Sequence, residues 1–89
     1  MNRIGKQELT QSDMTVQLPS NYAILSVHAQ SNVPCLWGLY DDETQTTESR
    51  RFVSVTTGDA LSGFSSTWYL GAASLDGDAT VLHVFEVWA

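Results

Sequence analysis

The chain has 89 residues, with ten carboxylates against four basic side chains and a formal net charge of −6, which fits one domain and leaves no room for two. Hydrophobic residues make up 43%, with three each of Phe, Tyr and Trp, enough bulk for a packed core and too much for a disordered chain. The acidic balance opposes direct contact with nucleic-acid phosphates or anionic lipid; no apolar run approaches the roughly 20 residues of a membrane helix, and the polar opening from Met1 to Asp13 lacks the pattern of a secretory leader.

Arg3 to Thr10 has only Ile4 and Leu9 as large apolar residues and reads as an edge strand. Met14-Thr15-Val16-Gln17-Leu18 alternates apolar and polar, the pattern of a half-buried strand. Pro19-Ser20-Asn21 ends it, because proline brings no ladder donor. Tyr22 to Gln30 is the next strand, with Ala23, Leu25, Val27 and Ala29 assigned to one face and Tyr22, Ile24, Ser26 and His28 to the other. Ser31-Asn32-Val33-Pro34 reads as a turn into Cys35 to Tyr40, so these two strands are expected to form an antiparallel hairpin. Cys35, Trp37 and Leu39 alternate with Leu36, Gly38 and Tyr40, and two apolar faces place this strand centrally.

Asp41 to Ser49 is polar and acidic and reads as a mobile exposed loop. Arg51 to Thr57 resumes strand character, with Val53 and Val55 opposing Phe52 and Ser54. Gly58 to Ser66 reads as a loop. Thr67 to Leu75 is a strand with Trp68, Leu70 and Ala72 on one side. Asp76-Gly77-Asp78 is the strongest turn signal, since these residues tolerate the positive φ of a tight hairpin. Ala79 to Trp88 is the longest apolar run, apolar on both faces, and is expected inside a sheet or in a subunit interface. Six or seven short strands without helical periodicity predict an all-β fold, a small antiparallel sandwich or partly open barrel.

Three segments taken together, Ala23-Ile24-Leu25-Ser26-Val27, Pro34-Cys35-Leu36-Trp37-Gly38-Leu39-Tyr40-Asp41 and Val81-Leu82-His83-Val84-Phe85-Glu86, resemble a family of small uncharacterised bacteriophage and prophage proteins. The order of the blocks matches over nearly the whole chain. Gly38-Leu39-Tyr40-Asp41 stands where that family usually has Ala-Leu-Val-Asp. The resemblance implies a viral or prophage origin and no particular activity.

The lone Cys35 cannot form an internal disulfide, which fits a reducing cytosol. His28 and His83 would meet if their strands paired, and the hairpin could set His28 beside Cys35 as base and nucleophile. A hydrogen-bonded structural histidine and a buried apolar cysteine are the simpler assignments. No zinc spacing and no phosphate-cradling glycine motif occurs, so neither a metal nor another cofactor is expected, and the chain is not read as an enzyme.

Asp41, Asp42, Glu43 and Glu48 form the acidic segment, a solvated loop or a contact surface for a basic protein, with Tyr40 as a possible anchor. Arg50 and Arg51 must point to opposite faces of a strand. They are expected to pair locally with Glu48 or Glu43, or across an oligomer to hold a small anion. Trp37, Trp68 and Trp88 read as core or interface anchors, and the terminal position of Trp88 suggests a homodimer. The leading expectation is a phage-type accessory protein of the host bacterial cytosol that binds and blocks a host protein, a defence-system component for example. The alternatives are an oligomeric binder that sequesters a small nucleotide, and a minor virion or assembly protein.

Overall fold

The computed structural model describes residues 1–64 and 66–88. Ser65, in the expected Gly58 to Ser66 loop, and the terminal Ala89 lie outside the described residues. Seven strands are seen among those described: β1 (Asn2–Glu8), β2 (Asp13–Pro19), β3 (Ala23–Gln30), β4 (Val33–Asp41), β5 (Thr47–Thr56), β6 (Ser66–Leu75) and β7 (Thr80–Trp88). They form a three-stranded sheet in the order β1-β4-β3 and a four-stranded sheet in the order β2-β5-β7-β6. Every neighbouring pair is antiparallel. The fold is all-β and sandwich-like, and neither sheet closes into a barrel. Among the described residues no helix is long and apolar enough to cross a membrane.

The period-two pattern accounts for the placements. β1 is an edge, β4 is the middle of its sheet, and β7 lies between β5 and β6, as their one-sided or two-sided apolar character requires. On the inner faces Val16, Leu18, Val27, Leu36, Phe52, Ala73 and Val84 are buried together with Leu9 and Tyr22. On the outer face of the larger sheet Val53 and Val87 are also buried. There the segment after β5 brings Phe64 over the Arg51 guanidinium, 5.0 Å from ring centre to Cζ.

Both hairpins turn on residues that accept positive φ. Ser31 and Asn32 have φ of 52° and 62°, and Asp76, Gly77 and Asp78 have 53°, 62° and 72°. The first turn is thus shorter than the four-residue reading, because Val33 and Pro34 already pair with Gln30 and Ala29. The two tips are joined across the sandwich: Asn32 Nδ2 donates to Asp76 Oδ1 at 2.9 Å, and the Asp76 amide donates to Asn32 Oδ1 at 2.7 Å.

Two assignments of face change, each at a bulge. The β3 register shifts between Ile24 and Ser26, so Leu25 is the extra residue. Ile24 packs against the core, while His28 falls on the exposed outer face with Ser26. The β6 register shifts between Tyr69 and Gly71, which separates Trp68 from Ala72 and buries Ala73 instead. An inserted residue inverts the parity of everything after it. The acidic loop is also shorter than Asp41 to Ser49. Asp41 pairs with Asn2, and Thr47, Glu48 and Ser49 pair with Pro19, Leu18 and Gln17, leaving residues 42–46 as the connection.

The sheets are locked near one end by Tyr22. Its ring is buried and stacks on Tyr40 at 6.2 Å, and its hydroxyl donates to the Gly5 carbonyl at 3.2 Å. Burial pushes the phenol up from its usual range. The ring rests directly on the backbone of Gly38, where a Cβ would fall inside it. Gly38→Ala is therefore expected to destabilise the fold by roughly 1–3 kcal/mol through overpacking. Combining it with Tyr22→Ala, which empties the space, should cost less than the sum of the two single changes. Urea-unfolding midpoints of the three variants check this.

Candidate binding site

Asp41 closes β4, and residues 41–43 fold back on the chain's own cations. The Met1 ammonium lies 3.1 Å from Asp41 Oδ1, 3.1 Å from Asp42 Oδ1 and 3.9 Å from Glu43 Oε1. Arg3 Nε donates to Asp42 Oδ2, and the Glu43 amide donates to Asp41 Oδ1. That amide, then the ammonium, holds the Asp41 carboxyl below its usual range. Arg3, then the ammonium, does the same for Asp42. In return the two aspartates push the Met1 amino group up. Tyr40 faces inward and packs against the core. Glu48 stands apart on β5, exposed, opposite Leu18. The four acids predicted as one segment are thus split, and the three nearest one another are largely neutralised where they sit.

Arg50 and Arg51 do project to opposite faces, as period two requires. Neither takes the predicted partner. Arg51 forks onto Asp13 of β2, Nε to Oδ1 at 2.9 Å and Nη2 to Oδ2 at 2.6 Å. This pair holds Asp13 below the usual carboxylate range. Arg50 forks onto Glu86 of β7, Nε to Oε2 at 2.8 Å and Nη2 to Oε1 at 2.7 Å, and its Nη1 donates to the Tyr22 carbonyl at 2.7 Å. Glu86 is buried. The bidentate geometry satisfies both carboxylate oxygens, the condition for keeping a charge out of water. Glu86 was missed as a site residue. Its signal was present: a lone carboxylate between Phe85 and Val87 in the longest apolar run must find a cation.

Two cavities adjoin this pair. One, of about 540 Å³, is lined by Glu48, Arg50, Glu86, Trp68 and Trp88 among others. The second, about 230 Å³, shares Arg50, Trp68 and Glu86 and adds Ile24, Leu25 and Tyr69. Trp68 is 66% exposed, Leu25 57%, Tyr69 49% and Trp88 46%, so this end carries most of the large apolar surface left to solvent. The two indoles lie 6.4 Å apart with a 42° tilt. Trp68 sits opposite Glu86 on β6, and Trp88 opposite Ser66, which puts both indoles on the inner face of the larger sheet at the end of the sandwich.

The histidines are in different sheets and do not meet. His28 is the cross-strand partner of Cys35, as the hairpin predicted, but its ring stacks on Trp37 at 4.9 Å and 10°. Cys35 is fully buried, with its thiol directed at the Val33 carbonyl. Both His83 nitrogens are engaged, Nδ1 with the Tyr69 hydroxyl at 2.9 Å and Nε2 with the Thr57 hydroxyl at 2.7 Å.

A family described as Domain of unknown function (DUF7352) matches residues 1–89. No curated protein and no solved structure matches the chain.

The two ion pairs should differ sharply in weight. Glu86→Gln strands a mostly buried guanidinium and is expected to cost about 2–4 kcal/mol, a little under the value for a fully buried pair. Asp13→Asn, at the surface, should barely move the same urea midpoint. Stability should also follow pH in a defined way. Asp13, Asp41 and Asp42 titrate below 3.8 when folded, so their contribution holds above that pH and is lost as pH falls through the lowered values. The Met1 amine titrates above 8.0, so its contribution holds below pH 8 and fades as pH rises through the raised value. Melting temperature against pH should show a plateau between those limits, and Asp42→Asn should flatten both shoulders.

Proposed function

We propose that the chain, which belongs to the DUF7352 family of domains of unknown function, works by occupancy: it binds a partner protein and covers the surface that partner needs. The observation that carries this reading is the exposed Trp68, Trp88 and Leu25 around a groove at one end of the sandwich. Contiguous apolar surface is costly to leave in water on so small a protein, and indoles are the commonest energetic anchors of interfaces. The long-range −6 charge favours a basic partner and speeds encounter with it. The likeness to small phage and prophage proteins supplies the setting: an accessory protein in a bacterial cytosol that blocks a host protein, a defence component being one form.

The docking face moves, in this proposal, from the acidic loop to the tryptophan end. Asp41, Asp42 and Glu43 already share the Met1 ammonium and Arg3, whereas Trp68 and Trp88 leave 66% and 46% of their surface to solvent. Sequestration of a nucleotide would draw on the same groove, but both arginines that would hold its phosphates are already forked onto carboxylates.

Affinity capture from host lysate with three forms of the protein tests this. Wild type and an Asp41→Asn/Asp42→Asn/Glu43→Gln variant should retain the same protein, identified by mass spectrometry and rebound in purified form. Trp68→Ala/Trp88→Ala, shown folded by circular dichroism, should lose it. Equal retention by the tryptophan variant would remove the proposed face. A shift of wild type alone to a dimer in sedimentation would instead assign the face to a second copy.

A further inference from the structure

We propose that the groove beside Trp68 and Trp88 receives an arginine side chain of the partner. This rests on the binding function above and names the chemistry its site would recognise. The charges around the groove do not cancel evenly. Arg50 is neutralised by Glu86 and Arg51 by Asp13, each through a two-bond fork. Glu48 lines the same groove, is exposed, and makes no hydrogen bond or ion pair among the described residues; it acts only at longer range on Arg50. One carboxylate is therefore left to supply the site's uncompensated charge.

Beside that carboxylate stand two indoles, 66% and 46% exposed, with centres 6.4 Å apart. Tryptophan presents the most electron-rich face of the aromatic residues and attracts cations over it. A planar guanidinium stacks on such a face and keeps its edge donors free to fork onto a carboxylate, which an ammonium cannot do in one plane. The protein already uses this pairing internally, with Arg51 lying over Phe64 while forked onto Asp13. Other ligand classes fit less well. An anion would meet the unpaired Glu48 beside two arginines already forked onto carboxylates, and a wholly apolar side chain would desolvate Glu48 without return. The cavity of about 540 Å³ is roomy for one side chain and its flanking backbone.

The test uses short glycine–serine peptides carrying one arginine, one lysine or one citrulline, titrated into the full chain and followed by the Trp68 and Trp88 indole N–H resonances. The arginine peptide should shift both saturably. Lysine should bind about tenfold more weakly, and citrulline, isosteric but uncharged, should leave both resonances in place. Glu48→Gln should weaken arginine binding about tenfold and Trp68→Ala should abolish it. Trp68→Phe, which keeps an aromatic face and guards against a folding defect, should retain part, and Asp42→Asn all of it. Equal binding of citrulline, or full affinity in Glu48→Gln, would overturn the proposal and point to a neutral stacking ligand. Absence of any saturable shift would overturn it too. If lysate capture still depends on the tryptophans in either case, the occupancy function stands and only the arginine assignment falls.

Discussion

A carboxylate inside an apolar strand has to be neutralised where it stands, and Glu86 makes that demand of the whole molecule. It lies on β7, one of the two interior strands of the larger sheet. Both its oxygens accept from the forked guanidinium of Arg50 on β5. That fork fixes where the third donor of Arg50 points, and it points at the Tyr22 carbonyl. Tyr22, held by its backbone, lays its ring over Gly38 and its hydroxyl on Gly5. One buried charge in the larger sheet thus sets the position of a residue that braces the smaller sheet. Hydrophobic burial supplies most of the driving force, but it is indifferent to how two apolar faces are rotated against each other. The polar chain from Glu86 to Gly5 is directional and distinguishes those arrangements.

Much of this architecture was legible in the sequence. Alternation in Met14–Leu18 and in Arg51–Thr57 gave the correct faces. Apolar character on both sides placed β4 and β7 in the interior of their sheets. The Asp-Gly signal marked its hairpin. The errors of face came from two bulges, one at Leu25 without a local mark and one at Leu70 whose mark is the strand glycine Gly71, at φ 153°. Leu25 and Leu70 look like any other strand residue, yet each inverts the side of its successors, and so Ile24 parts from His28 and Trp68 from Ala72. Sequence spacing is a reliable guide to a face only as long as the ladder is unbroken.

The site was less legible because charge is a pairwise property. Arg50 and Arg51 were recognised, but their partners are 36 and 38 residues away in the chain, and proximity in sequence suggested Glu48 or Glu43 instead. The acidic segment looked like one surface because its residues are consecutive. In three dimensions the first three acids meet the Met1 ammonium, and Glu48 rides away on β5 to join the indoles. Fold and site also divide the polar groups between them. The fork from Arg50 to Glu86 ties two strands of the larger sheet together, while Glu48 is left exposed beside the indoles.

The clasp between Asn32 and Asp76 gives this arrangement a polarity of practical use. The hairpin tips are latched together at one pole, and Trp68 lies eight residues back along β6, about 26 Å away at the usual strand rise. Met1, anchored to the far end of β4, and Trp88, at the end of β7, are at that second pole as well. A bulky group placed beside Trp88 therefore crowds the groove that its indole lines. Asp78 is exposed in the clasped pole, and is a place from which the molecule can be immobilised with the indoles left open to solution.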